Sequence, residues 1–304
     1  ITLDSLSSDS SLVPFSALQA AEAAMREGED AFVHGELDKA LASYERALKV
    51  DPRLYYAALY AGDVNFKKGR VVTDPKIKND LLDQAGTWFA RAIAIDPDRE
   101  TAYRYWGDAL MLQKKSAEAR DKFVDAIVAE PYNRTAYVGL TQWADEVRAG
   151  LSHPQVKQPP PSMRSSQDED RTTITIDPKT LNPKEGSAYY WSFYDLVRST
   201  YKTVGFSKDY PNEEQYRHSL KEEASALRVV AETAARDVKS GKLTDPDVSL
   251  NNLMKLDNAG LIDAYVLFAR PDQGIARDYV GYRKSNRDKL RRYWLEFVID
   301  EKSR

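Results

Sequence analysis

The chain has 304 residues, 42% of them hydrophobic and 30% charged, a composition typical of a globular protein with one large or two ordinary domains. Its formal net charge of -3 creates no global attraction to nucleic acid or to an acidic membrane surface. Cysteine is absent, which excludes disulfides, thiolate metal ligands and cysteine nucleophiles.

The N-terminal 18 residues are expected to form a tail before the first predicted helix. The chain starts at Ile1 without a methionine and shows no basic-then-apolar leader. A trimmed chain and a mature form that has lost its export signal would look the same. No apolar run approaches 18 residues, so we expect no membrane span and a soluble protein, either cytoplasmic or exported. The sequence leaves the compartment open.

Four residue types recur in one register through the first half of the chain. The alanine, aromatic and proline positions are separated by 45 and then 34 residues, whereas three glycines are separated by 34 and then 45. Both series agree if the period is 34 and one insertion of 45 − 34 = 11 residues lies between Gly62 and Ala85. The recurring positions are Ala40, Ala85 and Ala119; Tyr44, Phe89 and Phe123; Ala47, Ala92 and Ala126; Pro52, Pro97 and Pro131; and Gly28, Gly62 and Gly107.

This pattern resembles the tetratricopeptide repeat (TPR), a helix–turn–helix unit of 34 residues, over about residues 20–149. The resemblance implies an all-α array of three hairpins within a domain spanning 19–149. Small residues would let the two helices of a hairpin approach closely, and the aromatic side chain would fill the space beside them. Two positions depart from the family: Ala31 replaces a frequent tyrosine, and Lys114 stands where the first repeat has Gly35.

The sequence also predicts helical structure in the insertion and at the end of the array. Asp74 can cap a helix whose first turn contains Pro75, so we expect the second helix of the second repeat to be lengthened at its N-terminal end and to protrude. Residues 134–149 predict one further helix that covers the last apolar face, because a repeat array needs a terminal cap. Gly150 is predicted to end that helix.

Residues 150–184 change character and are predicted to be a proline-rich linker, with prolines at 154 and 159–161. Within it, residues 173–177 alternate like a short strand that has no evident partner strand. Alternatively, part of this segment docks along the repeat array as an internal ligand. Residues 185–304 predict a C-terminal helical domain without a 34-residue period, ending in a helix over 273–299.

No signal for catalysis, a cofactor or a metal is evident, so we predict that the protein is not an enzyme. The histidines are His34, His153 and His218. His218 and Glu222 are spaced i, i+4, which suits a surface pair, but the second histidine of a helical zinc-protease motif is absent. Gly-rich phosphate loops and nucleophile-elbow sequences are absent as well.

The family resemblance implies a concave groove lined by the first helix of each repeat. Carried onto this sequence, the groove positions are rich in aromatic residues and methionine, which dominate peptide-binding hot spots. We therefore predict a scaffold or adaptor that binds an extended or helical peptide of a protein partner in this groove. The predicted groove residues are Met25, Glu29, Phe32, Tyr56, Tyr60, Asp63, Phe66, Arg104, Tyr105, Asp108 and Met111.

One binding mode of the family is unfavourable here. Chaperone-binding TPR domains hold a terminal carboxylate with lysine, asparagine and arginine side chains. The corresponding positions here are Met25, Glu29, Asp63, Thr101 and Tyr105. Because these positions carry acids and no cation, an acidic C-terminal peptide would be repelled. The acids at Glu29, Asp63 and Asp108 instead suit a ligand that presents lysine, arginine or free amides.

Two other functions remain open. The first is a structural protein whose groove is occupied by its own linker or C-terminal domain, which contacts of residues 155–180 with Tyr56, Tyr60 and Tyr105 would favour. The second, less favoured because the whole chain is near neutral, is binding of nucleic acid or an acidic partner through the basic face of helix 273–299. A solvated outer face is the simpler interpretation of that pattern. The basic positions are Arg283, Lys284, Arg287 and Arg291.

Overall fold

The structure is a computed structural model that describes residues 15–159, 163–168, 171–176 and 186–301. It divides into two compact units, residues up to Val147 and residues from Arg148. Helices dominate both units, which confirms the predicted all-α class.

Consecutive helical hairpins build the first unit. Each helix packs most extensively on its neighbour in sequence, α1 on α2, α3 on α4 and α5 on α6. A short 3₁₀ turn, Arg134–Tyr137, leads into the last helix of the unit. The helices are α1 Gln19–Val33, α2 Leu37–Val50, α3 Tyr55–Val71, α4 Pro75–Ile95, α5 Glu100–Leu112, α6 Ser116–Ala129 and α7 Val138–Val147.

Glycines in the first helix of each hairpin explain how closely the two helices approach. A Cβ added at Gly28 would lie 2.5 Å from the Tyr44 ring, and one added at Gly107 would lie 2.3 Å from the Phe123 ring. Gly62 stands in the same relation to its own hairpin's phenylalanine. The repeated glycine and aromatic positions therefore form one interlocking contact in each hairpin.

The turns of the first and third hairpins both contain a residue with positive φ, but the residue type differs. Gly35 follows α1 with φ of +77°, a conformation that glycine adopts without steric cost. At the equivalent place after α5, Lys114 has φ of +61°. Lysine carries a Cβ, so the third hairpin holds a strained residue where the first has an unstrained one.

The 11-residue insertion lengthens both helices of the second hairpin. Helix α4 begins at Pro75, and the Asp74 carboxylate accepts hydrogen bonds from the backbone N–H groups of the first turn, as predicted. Relative to the repeat register, α4 starts seven residues early. Helix α3 also runs nine residues past Gly62, whereas α1 runs five past Gly28. The predicted lengthening of α4 alone was thus incomplete, and the extended tip exposes Val71 and Ile77.

Helix α7 covers the end of the array. Leu140 and Ala144 are buried, and the Trp143 indole N–H donates to the Ser116 carbonyl at 3.0 Å. The prediction that Gly150 ends this helix was wrong. The left-handed residue is Arg148, with φ of +59°, and Gly150 already belongs to a strand.

The second unit is a helical assembly with short strands. One π-helical turn, Tyr201–Gly205, joins the first two helices of the unit, and another, Trp294–Val298, follows its last helix. The longest buried helix is α10, whose apolar stripe packs against α8, α11 and α12. The elements are β1 Gly150–Leu151, β2 Met163–Asp168, β3 Arg171–Ile176, α8 Ser187–Thr200, α9 Phe206–Asp209, α10 Leu220–Lys239, α11 Val248–Asn258, α12 Ile262–Ala269, α13 Gln273–Tyr293 and β4 Ile299–Asp300.

The start of the segment predicted as a linker is structured. Strand β1 pairs antiparallel with β4 at the C-terminal end of the second unit. His153 Nδ1 lies 2.7 Å from the Tyr293 hydroxyl, and the Lys157 N–H donates to Ser249 Oγ at 2.9 Å. The second unit therefore begins well before residue 185, because residues 150–157 complete its surface.

The predicted single strand in this region has a partner. Strands β2 and β3 pair antiparallel, with Met163 opposite Ile176 and Asp168 opposite Arg171. Residues 160–162, 169–170 and 177–185 lie outside the described residues. The predicted docking of 155–180 on the repeat array therefore stays untested, and so does the remainder of the predicted linker.

The basic face predicted on the last helix is not continuous. Asn286 has φ of -134° and ψ of 26°, which breaks the helical geometry inside α13. Arg283 is only 5% exposed, and its guanidinium lies 5.7 Å from the Tyr279 ring centroid. The prediction that Arg283 shares a solvent-facing basic stripe with Arg287 and Arg291 was wrong. The kink rotates residues after position 286 out of the register that the helical wheel assumes.

Candidate functional site

The first helices of the hairpins form a face lined with aromatic rings that are only partly buried. Helix α5 lies between α3 and α7, so their side chains meet on one side of the array. The rings of Tyr56, Tyr60, Phe66 and Tyr105 pack against the core on one side and remain partly exposed on the other. We call this surface, together with Asp63 and Asp108, the aromatic face.

Ring contacts connect the face across helices. The centroids of Tyr56 and Tyr60 are 5.8 Å apart, and those of Tyr60 and Tyr44 are 5.7 Å apart. Tyr105 makes an edge contact with Phe89 at 6.0 Å. These tyrosines are held in place by packing, so a ligand meets a preorganised surface and orders few side chains on binding.

The chain's own N-terminal segment contacts this face. The Phe15 ring lies 6.0 Å from that of Tyr56 and 6.2 Å from that of Tyr60, both edge-on. The Phe15 N–H donates to Glu22 at 2.6 Å, and the Ser16 hydroxyl donates to Asp51 at 2.9 Å. The segment predicted as a tail is therefore anchored at residues 15 and 16.

Two of the three recurring acids on this face lack a partner. Glu29 accepts a hydrogen bond from the Tyr44 hydroxyl at 2.6 Å. No hydrogen bond or ion pair to Asp63 or Asp108 is present among the residues that the structure describes. Burial raises the pKa of Asp63, although Lys67 and Arg70 oppose the shift. Burial also raises the pKa of Tyr60 to about 12, with Glu29 as a further cause.

Arg104, whose charge acts on Asp108, is occupied elsewhere. Arg104 donates to the buried Glu100 carboxylate at 2.9 Å, and Thr135 donates to the same carboxylate at 3.0 Å. Arg104 also lies over the Tyr105 ring at 4.9 Å. Burial raises the pKa of Asp108 to about 6, because Arg104 only partly offsets the desolvation. Asp108 is thus a half-buried carboxylate without a counter-ion of its own.

Four of the predicted groove rings carry cations, including Arg99 over Tyr56 at 5.2 Å and Arg104 over Tyr105. The Lys67 ammonium lies 4.2 Å from the Phe32 ring centroid, and the Arg70 guanidinium lies 5.8 Å from that of Phe66. Such contacts contribute about 0.5–1 kcal/mol at exposed sites, so a ligand can displace them at small cost.

One predicted groove residue is inaccessible. Met25 has no exposed surface and belongs to the core between the first two hairpins. Its prediction as a ligand contact was wrong, because the side chain of that helical position turns between α1 and its neighbours rather than outward. The other ten predicted groove residues are partly exposed.

A cavity of about 290 Å³ lies at the α7 end of the face. The predicted residues Phe66, Asp108 and Met111 line it. The α7 residues Gln142, Trp143 and Glu146 were not predicted, because the sequence indicates α7 only as a terminal cap and gives no repeat register for it. The lining residues are Phe66, Arg70, Asp108, Met111, Leu112, Phe123, Gly139, Gln142, Trp143 and Glu146.

The histidines do not assemble a catalytic or metal centre with one another. His34 lies beside Asp30 on the surface, His153 against Tyr293, and His218 between Glu223 and Asp272. In the described part of the chain, no group of three or more His, Asp or Glu side chains is arranged to hold a metal ion. The absence of catalytic activity and of a cofactor stays a prediction.

A hairpin array with an aromatic inner face defines the first unit as a helical-repeat domain. Residues 25–74 match the family model described as tetratricopeptide repeat, which confirms the sequence resemblance over those residues. Tetratricopeptide repeats are protein–protein interaction modules. No curated protein matches the chain significantly. No described helix is long and apolar enough to cross a bilayer.

Solved structures with similarity to the chain include TPR domains. The first TPR of Spaghetti (RPAP3), bound to an HSP90 peptide, is 20% identical; the match covers 43% of this chain and 94% of that one, with a TM-score of 0.36. The Arabidopsis OM64 TPR domain is 23% identical, with coverage of 42% and 96% and a TM-score of 0.36. MamA is 15% identical, with coverage of 72% and 94% and a TM-score of 0.35.

Proposed function

We propose that the protein is a scaffold or adaptor that binds a peptide segment of a protein partner on the aromatic face. The observation that carries this proposal is a set of partly exposed, packed rings interspersed with two carboxylates, Asp63 and Asp108, that form no hydrogen bond or ion pair with the described residues. Rings of this kind supply most of the binding free energy in peptide interfaces, and unpaired carboxylates select the ligand's charge.

The electrostatics of the face support a basic or amide-bearing ligand. The same repeat position is occupied by an acid in all three repeats: Glu29, Asp63 and Asp108. An acidic peptide end would place its carboxylates against these acids, while the nearby Lys67 and Arg70 already lie over the Phe32 and Phe66 rings. We therefore propose a partner segment that contains lysine or arginine, and not an acidic C-terminal peptide.

Removing two rings tests this function. The partner is first identified by crosslinking and mass spectrometry in the native cell, and its binding to the full-length chain is then measured by calorimetry. Tyr60→Ala together with Tyr105→Ala is expected to weaken binding at least tenfold, because hot-spot rings each contribute about 2 kcal/mol or more. The matched control is Tyr132→Ala, a change at an exposed tyrosine in the same unit.

The control is expected to bind as the parent protein does. Thermal unfolding must show that both variants are folded at the temperature of the assay. If the doubly substituted protein binds its partner with parental affinity, the aromatic face is not the binding surface and the proposal fails.

The Phe15 contacts favour a second candidate, an array whose face is partly occupied by its own chain. In that case Phe15 and a partner peptide compete for Tyr56 and Tyr60. Phe15→Ala is then expected to raise affinity for the partner about threefold to tenfold, since an edge-on ring pair contributes about 0.5–1.5 kcal/mol. Calorimetry on the full-length chain measures this, with Leu18→Ala, an exposed neighbour, as the control. Unchanged affinity would show that the partner does not displace Phe15.

A further inference from the structure

The Phe123 ring lines the cavity at the α7 end of the aromatic face. Phe123 is held between Gly107 of α5 and Gly139 of α7, and a Cβ added at Gly139 would lie 2.2 Å from its ring. A side chain at position 139 would therefore push α7 away. The two glycines let α5 and α7 close on one ring, which leaves a shaped recess between α3, α5 and α7.

Apolar side chains form much of the wall of the recess. Phe66 and Met111 line one part of it, and the nearly buried Trp143 lines another. The Trp143 indole N–H is already bonded to the Ser116 carbonyl and hydroxyl at 3.0 and 2.9 Å. These walls suit the aliphatic stem of a long side chain, which buries its methylene groups while its polar head contacts other groups.

The charges around the recess favour a cation. Asp108 and Glu146 contribute two carboxylates, whereas Arg70 contributes one guanidinium, which already lies over the Phe66 ring. Asp108 is the more buried carboxylate, and the neighbouring Arg104 is paired with Glu100. A cation that entered the recess would therefore meet a desolvated carboxylate that forms no ion pair with the described residues, which is where an ion pair contributes most.

We propose that this recess is a subsite for one lysine or arginine side chain of the partner, with its stem along Phe66, Met111 and Trp143 and its head on Asp108. This inference rests on the proposed function of the aromatic face and names the chemistry that one part of it selects. A volume of about 290 Å³ fits a side chain, since sites for whole small ligands run from about 300 to 1,000 Å³.

Small probes test the subsite without the partner. The probes are the N-acetyl methylamides of lysine, norleucine and glutamate. Lysine and norleucine share the same aliphatic stem and differ in charge, whereas glutamate carries the opposite charge on a shorter stem. Each is titrated into the full-length chain while the Met111 methyl and Trp143 indole resonances are followed by NMR. The lysine derivative is expected to shift both signals, with an apparent Kd at least fivefold lower than that of norleucine. The glutamate derivative is expected to leave them unchanged.

Two variants assign the effect to Asp108. Asp108→Asn preserves the shape of the side chain and is expected to raise the apparent Kd for the lysine probe about tenfold, because a hydrogen bond to a charged group is lost. Glu118→Gln, at an exposed carboxylate on α6, is the control and should leave binding unchanged. Equal binding of lysine and norleucine probes, or no lysine-induced shift at millimolar concentration, would overturn the subsite.

The pH dependence provides a second readout. The groups around Asp108 are Glu100 and Arg104 on its own helix, Arg70 on α3 and Glu146 on α7. Because the pKa of Asp108 is raised to about 6 by burial, a cationic probe should bind less tightly at pH 5 than at pH 7.5 and should release protons at pH 6. In Asp108→Asn this difference should shrink, whereas an undiminished pH effect would contradict the assignment to Asp108.

Failure of the subsite and failure of the proposed function give different results. If the probes do not bind but Tyr60→Ala with Tyr105→Ala still weakens partner binding, the aromatic face binds the partner and only the subsite is rejected. If the lysine probe binds in the recess while the tyrosine variants retain full partner affinity, the subsite stands and the proposed function is rejected.

Discussion

Replacing Asp63 and Asp108 together with lysine is expected to weaken binding of the native partner by at least 100-fold. Each substitution removes a half-buried carboxylate and places an ammonium group where the proposed ligand carries its own cation. Asp63 has Lys67 and Arg70 near it as well as Glu29, so a lysine there makes that part of the face predominantly cationic. Like charges juxtaposed in an interface cost several kcal/mol, and about 2.7 kcal/mol corresponds to 100-fold in affinity.

Two further double variants make the charge-reversal result specific. Asp63→Asn with Asp108→Asn retains the shape of the side chains and should weaken binding by an intermediate amount, since it removes attraction without adding repulsion. Asp80→Lys with Glu118→Lys changes the net charge equally on the second helices of two hairpins, at exposed positions. It should alter only the salt-dependent association rate. Calorimetry at two salt concentrations measures all three, and parental affinity of the first variant would remove these acids from the site.

Replacing Glu223 with alanine is expected to destabilise the second unit by about 3 kcal/mol. Glu223 is 1% exposed. It accepts a hydrogen bond from the Tyr194 hydroxyl at 2.7 Å and lies 2.9 Å from Arg270 Nε and 3.1 Å from His218 Nε2. The substitution leaves those cations without their shared carboxylate, and removal of one member of a buried ion cluster costs far more than the cluster itself contributes.

Thermal unfolding measures this cost. For a unit of this size, 1 kcal/mol lowers Tm by about 2–4 °C, so a fall of about 6–12 °C is expected. The control is Glu296→Ala, which removes an exposed i, i+4 pair with Arg292 at 2.8 Å and should change stability by less than about 1 kcal/mol. If both substitutions lower Tm equally, the buried cluster has no special role in stability.

The same cluster makes stability depend on pH. Burial opposes the charging of His218, but hydrogen bonds to Glu223 and Asp272 outweigh it and raise the pKa of His218. Its stabilising contribution is therefore complete below the unfolded histidine pKa of about 6.5 and is lost as pH rises through the higher folded value. His218→Gln should reduce this dependence when unfolding is compared at pH 6 and pH 8.

The architecture of the first unit was predictable because its determinants are local and repeat. A 34-residue period places glycine, alanine and an aromatic residue on facing sides of two adjacent helices, and Asp74 with Pro75 specifies a helix start within a few residues. Such signals depend on neighbours in sequence. The hairpins and the all-α class follow from them, together with the location of the aromatic positions on the first helices.

Contacts between elements distant in sequence were decided only by tertiary packing. The family resemblance places Met25 on the groove side, and a helical wheel places Arg283 on a basic stripe. Packing buries Met25, and a backbone break at Asn286 accompanies burial of Arg283. Three further features also depend on tertiary packing. They are the ion pair of Arg104 with Glu100, the ring contacts of Phe15 with Tyr56 and Tyr60, and the contribution of α7 to the recess. Periodicity specifies one face of one helix; the angle and distance between helices determine which side chains share a site.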